Sequence, residues 1–344
     1  MPPNILVAQP VHERRLAVVR GLVRELARGP ATVDVRDPIQ PGQALPGDEL
    51  RDRTVLFTDH CPANVEVMTS LRWIQLGSAG YQQLGGLALP DGIRVTNASG
   101  VNDIPIAEWC LLMMLSAVRD LPQILRRQAE HVYDRATGFQ AELRGRRVGI
   151  FGYGSIGREV ARLATGVGLE VWGLSRSGFG ARPLRYGAGW TETGATRPHR
   201  EFGADELGEA FLSGLDFLVV TAPLTDATRG VIGARELAML PPHAVVINPA
   251  RAHVIDESAL LAALRDGTIG GAALDSHYRE PMPPDDPFWD APRTTITPHV
   301  SGSTGSTHFV DRLWELFELN VGRYLAGAPL VNEISAADLA ALPR

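Results

Sequence analysis

The sequence predicts an α/β protein made of two doubly wound parallel-sheet domains with a cleft between them. Three observations lead there. At 344 residues the chain exceeds one ordinary core, since a domain usually takes ~100–200 residues. Two series of short apolar runs alternate with stretches of helical period, the pattern of β-α units that feed a parallel sheet. One of those runs, Arg147–Phe151, passes directly into a glycine-rich turn and then a helix-like segment.

In the first series, Ile5–Ala8 reads as a buried strand, and Leu16, Val19, Leu22, Val23 and Leu26 recur at helical spacing behind it. Val55–Thr58, Trp73–Leu76 and Ile93–Thr96 continue as strands up to about Ser99. Asn102 or Asp103 then caps a helix with Pro105 in its first turn and Ile106, Cys110, Leu111, Met114, Leu115 and Val118 on its apolar positions. The second series places strands at Arg147–Phe151, Glu170–Ser175, Phe217–Thr221, Ala244–Asn248 and Thr294–Thr297. Between them, 177–202 is rich in Gly, Arg, Thr and Pro without periodicity, an irregular connection whose role the residues do not show. Phe309, Val310, Leu313, Leu316, Phe317, Val321 and Tyr324 form a last amphipathic helix that Gly327 stops.

Composition narrows the function classes. A hydrophobic fraction of 44% and a charged fraction of 21% suit a folded globular chain. With 33 Lys and Arg against 39 Asp and Glu, a net charge of −6 and no basic block, nucleic acid is not an expected partner. The longest apolar stretch, Cys110–Val118, is about half the ~20 residues that a membrane span needs. Charged residues follow closely on the short apolar run at the N-terminus, so no signal peptide is expected. Cys61 and Cys110 form no metal or redox pair, which fits a reducing cytoplasm, and no metal site is expected.

The glycine turn is Gly152-Tyr153-Gly154-Ser155-Ile156-Gly157. At a strand-to-helix junction, the first glycine permits a tight turn, the second lets backbone approach a pyrophosphate, and the third lets helix and strand pack closely. The helix N-terminus adds free N–H groups and partial positive charge. These residues point to a dinucleotide in a Rossmann-like domain. The next strand would normally end in an acidic residue that holds the ribose 2′-hydroxyl. Here it ends in Ser175-Arg176-Ser177, and a guanidinium flanked by hydroxyls suits a 2′-phosphate. NADP(H) is therefore expected over NAD(H), with NAD(H) as the alternative.

Three further segments follow apolar runs, where ligands of open α/β sheets collect. They are Asn248-Pro-Ala-Arg251-Ala-His, Asp275-Ser-His-Tyr-Arg-Glu280-Pro and Thr297-Pro-His299-Val-Ser-Gly. In this order and at these spacings, together with the glycine turn, Val95–Gly100, Ile106–Glu108, Pro223–Thr225 and Thr228–Gly230 with Ile232-Gly233, they resemble the D-isomer-specific 2-hydroxyacid dehydrogenase family. Within it, Arg176 and Gly77-Ser78-Ala79-Gly80 resemble the NADPH-linked glyoxylate/hydroxypyruvate reductase branch.

That resemblance implies a flavodoxin-like substrate domain, 1–100 plus 306–344, clasping a Rossmann domain, 101–305, and a homodimer. It implies Arg251 as the group that grips the carboxylate and 2-oxo group of a small 2-oxo acid, His299 as general acid and Glu280 as its partner. Elementary chemistry agrees: an oxo group that gains hydride needs a proton donor titrating near neutrality, and a neighbouring carboxylate keeps such an imidazole charged. It further implies backbone N–H groups of Gly77, Ser78, Ala79 and Gly80 on the substrate carboxylate, Pro223 beside the cofactor, and Asp275 near the nicotinamide carboxamide, where a structural strand-end role is the alternative. Ala252 departs from the family's usual glycine after the arginine. A formate-type dehydrogenase, which needs no proton relay, and a dinucleotide-sensing co-repressor on the same scaffold are the rival readings.

Overall fold

The computed structural model describes residues 3–27, 29–136, 138–180, 184–187, 197–340 and 342. The chain divides into two compact units: Met1–Asn102, Arg182–Thr191 and Thr304–Arg344 make the first, and Asp103–Ala181 with Glu192–Ser303 the second.

In the first unit, β1 (Asn4–Ala8), β2 (Thr32–Val35), β3 (Val55–Thr58), β4 (Trp73–Leu76) and β5 (Arg94–Thr96) form a parallel sheet in the order β2-β1-β3-β4-β5. Alternation along β1 sends Ile5 and Val7 into one apolar layer and Leu6 and Ala8 into another, so this strand is covered on both faces. The terminal helix, Thr307–Leu325, supplies Phe309, Leu313, Trp314, Leu316, Phe317 and Val321 to the first layer. There Phe317 stacks on Phe57 with ring centroids 4.2 Å apart. Arg15 anchors the same helix to Glu13–Leu26 through Asp311 at 2.9 Å and Glu318 at 3.1 Å.

β2 escaped the sequence reading because Thr-Val-Asp-Val lies exposed on a sheet edge and shows no buried alternation. Of the irregular connection, residues 181–183 and 188–196 lie outside the described residues. Its described part includes Tyr186, 7% exposed, whose hydroxyl donates to Glu315 at 2.5 Å and whose amide donates to Asn332 at 3.2 Å. A segment read as part of the cofactor domain thus packs into the first unit.

The second unit holds β6 (Arg147–Phe151), β7 (Glu170–Leu174), β8 (Arg200–Phe202), β9 (Phe217–Val220), β10 (Val245–Asn248), β11 (Gly271–Leu274) and β12 (Thr294–Ile296). All pairings are parallel, in the order β12-β11-β10-β9-β6-β7-β8. Chain order runs outward from β6 in one direction and from β9 in the other, so the switch point lies between them. Ligands of open parallel sheets bind beyond the carboxyl ends of the strands at such a crevice. The short β8 closes the far edge, its Phe202 packed against Trp172 and Phe211. Among the described residues, no helix is long and apolar enough to cross a membrane.

Candidate active site

Because the second sheet is parallel, every loop that leaves a strand's C-terminus emerges at one edge, and the residues of this unit singled out from sequence follow those strands. The glycine turn follows β6. Gly152 has φ +102°, a left-handed conformation that L side chains rarely adopt, and a Cβ there would lie 2.6 Å from Ala222 Cα. A Cβ on Gly157 would lie 2.5 Å from the Gly152 carbonyl oxygen. Both glycines are therefore sterically required. Gly154 caps the helix Ser155–Gly166 with no side-chain hydrogen bond to its first turn, a backbone cradle of the kind a pyrophosphate needs. The residues present fit a dinucleotide.

Tyr153 is 1% exposed with its ring against Phe179, so only its backbone can meet a ligand. Ser155 donates its hydroxyl to Asp103. Ile156 is half-buried and packs on the apolar layer behind the turn. After β7, Ser175 is buried and donates its hydroxyl to the Gly178 carbonyl at 3.0 Å. That hydrogen bond closes the turn that presents Arg176 and Ser177. Arg176 is exposed, and among the described residues no carboxylate pairs with it. Ser177 is exposed beside it. Pro223, also exposed, lies past β9 on the other flank of the switch point, and its carbonyl accepts from Thr228 Oγ1 at 2.7 Å.

β10 ends at Asn248, whose side chain folds back to accept from the Ala250 amide at 3.0 Å and to donate to the Arg251 carbonyl at 3.1 Å. The buried Ser276 hydroxyl accepts from the Ala252 amide at 2.5 Å. Together they fix the backbone on both sides of Arg251, whose side chain is exposed and donates to the Ala250 carbonyl at 2.7 Å. Neither positioning residue is singled out by the sequence, where both stand only as members of the segments around Arg251 and Glu280.

His299 follows β12, and its Nδ1 lies 3.0 and 3.2 Å from the two oxygens of Glu280, which follows β11. Glu280 Oε1 also accepts from the His277 amide at 2.9 Å. Burial pushes the Glu280 carboxyl up, but the His299 ring and the His277 amide outweigh it and leave the group below its usual value. The loop behind Glu280 is tied down by Arg279, which pairs with Glu257 at 2.6 Å and with the buried Asp286 at 2.7 Å.

Asp275 is fully buried. Its Oδ1 accepts from Thr297 Oγ1 at 2.5 Å and the Val300 amide at 2.9 Å, and its Oδ2 from the Ser301 amide at 2.9 Å. These bonds clamp the loop that carries His299, itself in a left-handed conformation at φ +56°. Arg251 and His299 leave strands two apart in the sheet, or ~10 Å at the backbone.

In the first unit, Gly77–Gly80 follows β4. The Ser78 carbonyl accepts from the Ala98 amide at 2.8 Å and the Ala79 carbonyl from Asn97 Nδ2 at 2.7 Å. The Gly77 amide donates to Thr58. The amides of Ser78, Ala79 and Gly80 have no acceptor among the described residues, an arrangement suited to an anion.

Residues 111–301 match the model of the D-isomer specific 2-hydroxyacid dehydrogenase NAD-binding domain. The chain is 31% identical over 252 residues to a glyoxylate/hydroxypyruvate reductase B of Yersinia enterocolitica, covering 72% of this chain and 73% of that one. It is 27% identical over 349 residues to a D-3-phosphoglycerate dehydrogenase of Archaeoglobus fulgidus, covering 96% of this chain and 59% of that protein. It thus spans a little over half the length of the curated phosphoglycerate dehydrogenases it matches. Among solved structures, it is similar to an NADPH-dependent glyoxylate/hydroxypyruvate reductase of Sinorhizobium meliloti in complex with NADP and sulfate, at a TM-score of 0.73 and 26% identity over 98% of this chain and 99% of that one. The chain belongs to the D-isomer-specific 2-hydroxyacid dehydrogenase family of NAD(P)-dependent oxidoreductases.

Proposed function

We propose that the protein reduces a small 2-oxo acid such as glyoxylate or hydroxypyruvate to the D-2-hydroxy acid, reversibly, with NADPH preferred over NADH. The observation that carries this reading is the Glu280–His299 pair at the carboxyl edge of the sheet that also bears the glycine turn. Glu280 engages Nδ1 and leaves Nε2 as the ring nitrogen able to hold a proton toward a substrate oxygen. Arg251, charged at any working pH, binds the anionic substrate and stabilises negative charge as it develops on that oxygen. The nicotinamide, when bound, supplies the hydride. Gly152–Gly157 hold its pyrophosphate, and Arg176 with Ser177 favours a 2′-phosphate. In the reverse direction His299 takes the proton back. An acid–base pair of this kind has no use in formate oxidation or in mere dinucleotide sensing.

Relatives named glyoxylate/hydroxypyruvate reductase support the substrate class, and the NADP complex of the Sinorhizobium protein supports the cofactor preference. A homodimer is supported by the apolar residues Leu112, Leu115, Leu121, Ile124 and Leu125 on the helices Asp103–Arg119 and Leu121–Ala129, each at least 36% exposed. The free buried thiols Cys61 and Cys110 suit the cytoplasm.

The test is NADPH and NADH oxidation by the purified protein with a panel of 2-oxo acids, with chiral analysis of the product. His299→Ala is expected to cost on the order of 10²–10⁴-fold in rate with cofactor binding retained. Turnover of the variant at nearly the parental rate would remove His299 from the chemistry, and an L product would overturn the stereochemical assignment.

A further inference from the structure

Strands β11 and β12 are neighbours in the second sheet, and the loops that follow them carry Glu280 and His299. Among the described residues, the last backbone bond between these two segments runs from the Thr297 amide to the Leu274 carbonyl at 3.0 Å. Beyond it the ladder stops, and side chains keep the two loops in register.

Asp275 holds the far side of His299, through the amides of Val300 and Ser301. The near side is held by His277, half-buried, whose ring Nε2 lies 2.9 Å from the Thr297 carbonyl oxygen. A carbonyl only accepts, so Nε2 carries the hydrogen and donates it. The same oxygen accepts from the His299 amide at 2.9 Å, which closes a three-residue turn over Pro298. Thr297 Oγ1 is committed to Asp275. The His277 ring thus adds a bond to the one group of Thr297 that leads, through Pro298, into His299.

The backbone of His277 serves the other partner. Its amide donates to Glu280 Oε1 at 2.9 Å, and that carboxylate meets His299 Nδ1. One residue therefore holds both members of the pair, the carboxylate through its N–H and the peptide ahead of the imidazole through its ring. A histidine that only closed a strand end would engage one loop. Any residue except proline supplies the amide at this position, but the second bond needs a side-chain donor at the reach of imidazole Nε2. Phenylalanine keeps the flat ring without a donor, and glutamine keeps an N–H at a similar reach.

We propose that His277 is a positioning residue for the proton donor, its ring bond to Thr297 setting the His299 imidazole against Glu280. This deepens the function proposed above and rests on it for the role of His299 as general acid.

The experiment compares His277→Phe and His277→Gln with the parental full-length protein. With NADPH and glyoxylate, His277→Phe is expected to lower kcat by about 10–100-fold, the scale set by a displacement of ~1 Å at a reacting group. KM for glyoxylate and Kd for NADPH should stay within about twofold, because the lost bond acts on the proton step rather than on binding. The solvent deuterium isotope effect on kcat should rise as proton transfer becomes limiting. His277→Gln should return kcat to within about fivefold of the parental value, since it restores one hydrogen bond. A His277→Phe kcat close to the parental one, an equal loss in both variants, or a loss of kcat matched by a loss of NADPH affinity would overturn the proposal.

Histidine-selective nitrogen-15 NMR reads the ring without turnover, at alkaline pH and with the His299 signals identified by their loss in His299→Ala. The parental His299 nitrogens are expected at the separate shifts of a single tautomer. His277→Phe should draw them together, as in a ring that exchanges freely, and His277→Gln should restore the separation. That outcome supports the positioning role even if the protein reduces no 2-oxo acid. His299 shifts unchanged by His277→Phe overturn it even if His299 proves to be the acid.

Discussion

Glu280 grips His299 while being gripped itself: both carboxylate oxygens lie within 3.2 Å of His299 Nδ1, and one of them also accepts from the His277 amide. The ring is thereby fixed in one orientation and tautomer with a full negative charge against it.

Replacing that charge is the direct test of the pair. Glu280→Gln keeps the shape but removes the anion that faces the ring. We expect kcat to fall by about 10–100-fold with dinucleotide affinity retained. A kcat close to the parental value would show that Glu280 does not govern the proton. Because the Glu280 carboxyl sits below its usual value, the pair's contribution to folding is present above the ordinary carboxylate range and is lost as pH falls through the depressed value.

Asp275 acts one step further back. Asp275→Asn replaces one acceptor oxygen by a donor facing a buried N–H, which should cost about 2 kcal/mol of stability and loosen the loop that carries His299. We expect a lowered Tm, kcat down by roughly 10–100-fold and little change in KM. A rise in the Kd for the dinucleotide with kcat intact would instead return Asp275 to the cofactor.

On the proposed reading, Arg176 discriminates between the two cofactors. Arg176→Ala should raise KM for NADPH by on the order of tenfold and leave that for NADH within about twofold, since one exposed guanidinium–phosphate contact is lost. Steady-state kinetics with both cofactors checks this, and equal losses on the two would remove Arg176 from phosphate recognition.

The Arg15–Asp311 pair joins two helices almost 300 residues apart in sequence. The guanidinium holds the Asp311 carboxyl below its usual range against a smaller opposing effect of burial. Its stabilisation is therefore present at neutral pH and lost as pH falls through the depressed value. With Asp311 46% exposed, solvent screening limits the effect, and Asp311→Asn should cost about 0.5 kcal/mol at pH 7. Chemical denaturation at pH 7 and pH 3 should show the difference between variant and parent shrinking at the acid end.

Strands with strong patterns were legible in the residues alone. β3 and β4 coincide with Val55–Thr58 and Trp73–Leu76, because continuous apolar runs are what a doubly covered parallel strand requires. Gly152, Gly154 and Gly157 were legible because their spacing encodes a local turn, and Glu280 and His299 because a resemblance over the whole chain named them. β11 was read only as an apolar run, since Gly-Ala-Ala-Leu has little strand propensity and is held by strands on both sides.

Sequence by itself determined where the glycine turn falls and which strands are covered on both faces, because each of these is written within a few neighbouring residues. Only the tertiary structure decided that Ser175 closes a turn, that Asp275 clamps the His299 loop, that Tyr186 belongs to the first unit, and that the His277 ring meets the Thr297 carbonyl. Those outcomes depend on which strand ends are neighbours in a sheet, and hydrogen bonds between residues tens to hundreds of positions apart leave no periodicity to read.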